Sequence, residues 1–345
     1  MRRVRVGLVG LGRMGRFHAE NLAGRVPAAA LVRVVDEDED RARQMGDSLG
    51  VEWSSSFEVL LDDPEVEAVV IATPTPLHPE MIQQAARAGK HIFCEKPVSL
   101  ELDSTVEAIQ AARSAGVRLQ MGFHRRFDPD WAAAVERIRK GDLGEVYLFR
   151  TSLRDKRPPA IDYIKTSGGF FVDVSIHDFD TARWMVGEID EITSFGTAVA
   201  DPTIAGIGDI DTALICLRFA SGALGVIDNS RAAGYGYECS TEVMGSRATA
   251  RIGHHRRAHV QWLTSGQASE DWVEDFTERY PDAYRLELED FLAAIIEDRP
   301  VAVTGEDALA AFMLCRAADD SLRAGRTVRL KHWEREGQVS YEVAG

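Results

Sequence analysis

The sequence predicts an α/β protein. A doubly wound parallel sheet is expected in residues 1–123, and an α+β domain with a large, mostly antiparallel, open-faced sheet over 124–345. Three observations carry this. Strand-like and helix-like patterns alternate through the first ~120 residues, as they do where crossover helices join parallel strands. A glycine-rich turn lies between the first strand and the first helix. From 191 to 263 the pattern changes to strands and tight turns with little helix.

The elements follow in order. Val4–Val9 is a short β-rich run, and a helix follows the glycine turn to Leu22. Ala30–Val35 is a second strand, ended by the acids Asp36–Asp40. Ala68–Ala72 is continuously apolar, as a strand buried on both faces should be. Thr73-Pro74-Thr75-Pro76 stops it, and a helix runs to Ala88. His91–Cys94 and Val117–Gly122 are the next strands. Beyond them, 128–140 and 170–186 read as helices, with hairpin turns at Phe219–Leu224 and Met244–Arg247. Helical patterns return at 283–296 and 305–323. The stretch with His254, His255, Arg256, Arg257 and His259 reads as solvated. A sheet with few helices nearby leaves a face for a subunit partner to cover.

Composition limits the function classes. The 345 residues carry a formal charge of −15, which argues against nucleic acid or an anionic membrane as partner, since both need a basic footprint. No uncharged apolar run approaches the ~18 residues of a membrane span, and no signal peptide is read at the N-terminus. Cys94, Cys216, Cys239 and Cys315 form no CxxC pair. They read as buried thiols in a reducing cytoplasm.

Gly10-Leu11-Gly12-Arg13-Met14-Gly15 is a GxGxxG turn after a strand and before a helix. In that context Gly10 permits the turn, Gly12 lets a pyrophosphate approach the backbone, and Gly15 allows close helix–strand packing. The helix N-terminus then offers N–H donors to the phosphates, as in a Rossmann domain. Asp36 lies 21 residues beyond Gly15, where a carboxylate would accept from the adenosine ribose. It and the acids behind it should repel the extra phosphate of NADP, so the expected cofactor is NAD. The plainer reading of Asp36 is a solvated helix start.

Glu95-Lys96-Pro97 follows a predicted strand, and strand ends in such sheets face the ligand crevice. Lys96 is therefore a candidate proton-transfer group for hydride chemistry at an alcohol, since a shielded lysine can act near neutrality. The competing reading is a surface Glu95–Lys96 ion pair. After Gly168-Gly169, a helix would place Asp173, His177 and Asp180 in one polar line. A carboxylate one turn from an imidazole can orient it and raise its basicity. His177 as a proton relay with Asp173 is the expected use. A metal site on the same three residues and a plain capped helix are the alternatives, and no metal is expected.

The chain resembles the Gfo/Idh/MocA oxidoreductases over essentially its whole length. The resemblance rests on Gly10–Gly15, Ala72-Thr73-Pro74, Leu77-His78, Glu95-Lys96-Pro97 and Gly168-Gly169 through Asp173 to His177, in that order and spacing. It is strongest to members acting on inositols, through Met121–Pro129, Ile161–Gly169, Asp228–Arg231 and Tyr235–Tyr237. The resemblance implies Lys96, Asp173 and His177 as the catalytic group. It implies that Thr73, Pro74, His78, Glu95 and Lys96 line the cofactor cleft beside Gly10–Gly15 and Asp36. It places Arg126, Asp155 and Tyr235 near the substrate, with Arg125 or Tyr237 as alternatives. It also implies a homotetramer and oxidation of myo-inositol to its 2-keto product. Scyllo-inositol or a pyranose is the alternative substrate, and an NAD- or sugar-sensing regulator without turnover is the alternative class. His124 and the basic segment 154–159 are local departures from the family pattern.

Overall fold

The computed structural model describes residues 2–253, 256–332 and 339–343. They form two compact units, one of Met1–Phe127 with Asp282–Leu309 and one of Asp128–Pro281 with Ala310–Gly345. In the first unit the order is β1 (Val4–Val9), α1 (Arg13–Gly24), β2 (Ala29–Val35), α2 (Glu39–Leu49), β3 (Glu52–Ser54), α3 (Glu58–Leu61), β4 (Ala68–Ile71), α4 (His78–Arg87), β5 (His91–Glu95), α5 (Leu102–Ser114) and β6 (Leu119–Gly122). All six strands are parallel, in the order β3-β2-β1-β4-β5-β6. The order reverses between β1 and β4, the switch point at which open α/β sheets bind ligands. β4 is buried along its whole length, as its unbroken apolar run required. β3, a three-residue edge strand, is too short to leave a pattern in the sequence.

The second unit is built on α6 (Pro129–Arg139), β7 (Val146–Arg154), α7 (Ile161–Ile164), α8 (Ile176–Val186), β8 (Ile189–Thr197), α9 (Pro202–Ala205), β9 (Thr212–Phe219), β10 (Leu224–Ser230), β11 (Glu238–Gly245), β12 (Thr249–Ile252), β13 (Arg256–Thr264), β14 (Gln267–Trp272) and α10 (Phe276–Arg279). After α11 (Pro281–Ile296) and α12 (Gly305–Ala324), β15 (Val328–His332) and β16 (Val339–Val343) complete the sheet. Its order is β12-β11-β7-β10-β9-β8-β15-β16. Among the described residues only the β7–β10 pairing of this sheet is parallel, so the expected mostly antiparallel sheet is present. Both anticipated hairpin turns are there, joining β9 to β10 and β11 to β12. Alternate residues of β9 are buried, while Leu214, Cys216 and Arg218 are exposed on the other face. Cys216 thus departs from the expectation of four buried thiols, because it falls on the outward phase of a period-two strand. His254 and His255 lie outside the described residues, and Arg256 opens β13.

The compact units divide after Phe127, and Asp282–Leu309 groups with the first unit. Leu288, Phe291, Leu292 and Ile295 of α11 join Val4, Val6, Leu8, Val70 and Phe93 in one buried core. An apolar helix face does not record which sheet it will cover, so this return was not legible. Among the described residues no helix is long and apolar enough to cross a membrane.

Candidate active site

The glycine turn is shaped by backbone contacts. Gly10 has φ +90°, and a Cβ there would lie 2.6 Å from the backbone of Ala72 and Thr73 at the end of β4. A Cβ on Gly15 would collide with the Gly10 carbonyl, whereas one on Gly12 would meet nothing within 4 Å. The first two glycine constraints are steric, and the third position is open. Helix α1 starts there with no side-chain cap and no acid in its first turn. Its first N–H groups, on Arg13, Met14 and Gly15, and its positive dipole end suit a pyrophosphate.

Asp36 is buried and tied to this turn. Its Oδ2 accepts from Leu11 N–H at 2.6 Å, and its Oδ1 accepts from Asp38 N–H at 3.0 Å and from Arg41 at 2.9 Å. The acids that follow serve the helix start: Asp38 accepts from Arg41 N–H as the cap of α2, and Asp40 pairs with Arg43. Of the acidic run, Asp38 and Asp40 are thus engaged within α2, and Arg41 brings a cation beside Asp36.

At the ends of β4 and β5 the expected cofactor-lining residues divide. After β4, Thr73 is half-buried and Pro74 is exposed. His78 is buried, with Nδ1 2.8 Å from the Pro97 carbonyl and Nε2 2.8 Å from the Thr73 carbonyl. Burial lowers its pKa below the ordinary imidazole value, and the two carbonyls oppose this. Its imidazole lies between the end of β4 and the turn that carries Lys96, and in the neutral form one of its nitrogens donates to a carbonyl. Glu95 does not make the surface ion pair that was the plainer reading of Glu95-Lys96. Its Oε1 lies 2.7 Å from His18 Nε2. Lys96 is half-buried, and the Lys96–Pro97 bond is cis. Of the two arginines, Arg125 is buried, and Arg126 pairs with Asp307 at 2.9 Å.

In the second unit, Gly168 and Gly169 both have φ +87°, a conformation other residues rarely adopt, and the chain then enters a π-helical turn over Phe171–Ser175 before α8. The expected helical stretch over 170–186 is present, and its first part is wound as a π turn. A π turn widens the winding, so Asp173 and His177 do not keep ordinary α-helical spacing; such turns occur frequently at functional sites. Asp173 Oδ1 accepts from the Tyr163 hydroxyl at 2.9 Å, and its Oδ2 accepts from Arg231 at 2.9 Å. Arg231 has no exposed surface and also donates to Asp209 at 3.1 Å. Burial, then the Asp173 carboxylate, raises the pKa of Tyr163. His177 is half-buried one turn further on. The neighbouring Asp178 is buried and accepts from Asn229 at 2.9 Å and Thr151 at 3.2 Å. Tyr235 is 45% exposed, donates to Glu238 and packs edge-on against Trp272, while Tyr237 is buried. Asp155 follows β7, its backbone bonded to Ser230 and Ala233.

Residues 4–123 match the Gfo/Idh/MocA family described as an oxidoreductase family with an NAD-binding Rossmann fold. Residues 135–330 match the family's C-terminal alpha/beta domain. The chain belongs to the Gfo/Idh/MocA oxidoreductase family. It is 42% identical to the myo-inositol 2-dehydrogenase of Thermotoga maritima, over 95% of this chain and 99% of that one. It is 40% identical to the scyllo-inositol 2-dehydrogenase (NAD(+)) of Bacillus subtilis, over 95% and 96%. A Lactobacillus casei scyllo-inositol dehydrogenase solved with NAD(H) and scyllo-inositol superposes with a TM-score of 0.89 at 29% identity, covering 95% of this chain and 99% of that one.

The family's NAD-binding fold is therefore the fold of the first unit, and the protein is an NAD-dependent oxidoreductase. The glycine turn, Asp36 and the open position at Gly12 fit that cofactor. Sequence reasoning missed Tyr163, Asp209 and Arg231 as partners in the Asp173 array. Tyr163 and Arg231 were noticed only as motif letters, and a buried arginine far along the chain gives no local signal of its partner. Among the described residues, the metal-sized grouping of His and acids is His18, Glu95 and Glu287, and not Asp173, His177 and Asp180.

Proposed function

We propose that the protein oxidises one ring hydroxyl of a cyclic polyol, with myo-inositol as substrate and 2-keto-myo-inositol (scyllo-inosose) as product. The observation that carries this is the Tyr163–Asp173–Arg231–Asp209 array at the head of the helix bearing His177, in a chain 42% identical to a myo-inositol 2-dehydrogenase. The glycine turn Gly10–Gly15 and Asp36 would hold NAD, which would supply the acceptor for the hydride of the carbinol carbon. Lys96 Nζ is assigned the hydroxyl proton, and His177 and Asp173 are assigned to the same proton transfer. Asp173 is held by two donors, so its orientation is set before substrate arrives. Arg126, Asp155 and Tyr235 are assigned to the remaining hydroxyls, since a polyol hydroxyl buried without a partner costs ~1–3 kcal/mol.

Scyllo-inositol is the second reading, favoured by the 40% identity to a scyllo-inositol 2-dehydrogenase. The test is to rank kcat/KM for myo-inositol, scyllo-inositol, D-chiro-inositol, glucose and xylose, following NADH absorbance. Myo-inositol should lead. A lead for scyllo-inositol or glucose overturns the substrate, and no turnover of any polyol or sugar moves the protein to the sensing class. A homotetramer assembled through the open face of the second sheet, where Leu214 and Leu224 are exposed, completes the proposal. Light scattering on the purified protein checks it.

A further inference from the structure

The two side chains at the end of β5 have different surroundings. Glu95 turns onto His18 of α1, and Glu287 of α11 completes a trio whose ligand-type atoms lie within 4.8 Å of one another. His18 and Glu287 are 0% exposed, and the Glu95 side chain is 12% exposed. Phe93 and Tyr284 stand edge-on to the His18 ring at 5.4 and 6.0 Å, and Phe291 packs on Phe93. Opposite, β6 presents Gly122, where a Cβ would press on the Glu95 carboxylate at 3.0 Å. Neither side-chain oxygen of Glu287 has a hydrogen-bond partner among the described residues.

Both carboxyl groups cannot carry charge in such a place. An ionised Glu287 would be stripped of water, would lack a donor and would face a second carboxylate. A neutral acid there leaves its O–H and its carbonyl unbonded but has no charge to desolvate, so it costs far less. Glu95 is the better home for the remaining charge because His18 lies against it. Burial first, and the Glu95 carboxylate second, push the Glu287 carboxyl well above the usual carboxylate range. The titratable groups facing it are Glu95 from β5 and His18 from α1.

We propose that Glu287 is a neutral carboxylic acid in the folded protein, and that Glu287 and His18 are positioning residues that keep a single negative charge on Glu95 at the root of Lys96. Lys96 works beside one fixed anion, not two.

The test is infrared spectroscopy of the whole protein in D2O at mildly alkaline pH. The wild type should show a protonated-carboxyl band, and Glu287→Gln should lose it. No such band in the wild type means that Glu287 is ionised, and the proposal fails. A band that survives in Glu287→Gln places the proton elsewhere and also overturns it. The wild-type spectrum decides the first point even if the variant does not fold. A stoichiometric divalent ion by elemental analysis, lost in Glu287→Gln, would replace the proton with a cation and sink the idea. A further arm rests on the dehydrogenase reading. Glu287→Gln should leave the pH midpoint of inositol oxidation in place, because a neutral group replaces a neutral group. A midpoint displaced to lower pH would show that a charge had been removed near Lys96. The infrared result needs no turnover, so it stands or falls separately from the substrate assignment.

Discussion

Replacing Arg231 with Met is the most direct probe of the array around Asp173. The guanidinium has no exposed surface and holds Asp173 at 2.9 Å and Asp209 at 3.1 Å, over the ring of Phe170. Met keeps much of the volume but removes the cation that the two carboxylates share. Removing one member of a buried ion pair costs about 3–5 kcal/mol, chiefly because the remaining charge stays desolvated. The Asp173 and Asp209 side chains are 13% and 16% exposed, so both retain some water, and the expected loss lies at the lower end, about 3 kcal/mol. For a unit of this size each kcal/mol moves Tm by about 2–4 °C, giving a fall of about 6–12 °C. Near-ultraviolet circular dichroism on heating reads it. Arg231→Lys should recover part of the loss, since it restores charge without the planar fork. An Arg231→Met protein with wild-type Tm would refute the reasoning, because the pair would then be contributing nothing that its removal exposes.

Three further outcomes are expected. Lys96→Ala should lower turnover by about 10²–10⁴-fold while NADH binding, followed by fluorescence, persists; turnover within a few-fold of wild type would remove Lys96 from proton transfer. Asp36→Ala should raise kcat/KM with NADP relative to NAD, because it releases Arg41 from its 2.9 Å pairing for a 2′-phosphate; an unchanged cofactor ratio would deny Asp36 its role. Glu287→Gln should gain stability on the wild type as pH rises. The folded pKa of Glu287 is raised, so its contribution is fully present below the unfolded value of 4.5 and is lost as pH climbs toward the folded one. Urea unfolding across that range measures it, and a stability difference independent of pH would contradict the assignment.

The parts of the fold that were legible are those specified by short, local constraints. Gly10 and Gly15 could be read because backbone sterics demand glycine at those places, and the apolar run of β4 because a strand buried on both faces has no polar phase. The second sheet announced itself through strands and tight hairpin turns with little helix between them. What escaped is non-local. The return of α11 to the first unit depends on Leu288 and Phe291 matching a surface made by residues near the N-terminus. The role of Arg231 depends on two acids elsewhere in the chain. The π turn over Phe171–Ser175 has the same residue types as a regular turn, and its effect on Asp173 appears only in three dimensions. The acids after Asp36 were legible as a cluster, yet their use as a helix cap and ion pairs was not, since composition cannot tell a committed acid from an available one.

That distinction bears on how the protein presents charge to its ligands. Asp36, Glu95 and Asp173 each lie beside a position assigned to chemistry or cofactor, and each has oxygens already engaged by the protein. A carboxylate has about four acceptor positions, and Asp36 gives three of them to Leu11, Asp38 and Arg41. On the proposed reading, one direction is left for a ribose hydroxyl, set by the turn proposed to receive the pyrophosphate. Buried ion pairs of this kind add little net stability once desolvation is counted, and their retention is better explained by the geometry they impose. On that view the sequence keeps its acids at these places to aim the few acceptor positions that remain, and substitutions that preserve charge but not aim, such as Asp36→Glu, should impair cofactor binding almost as much as loss of the carboxylate.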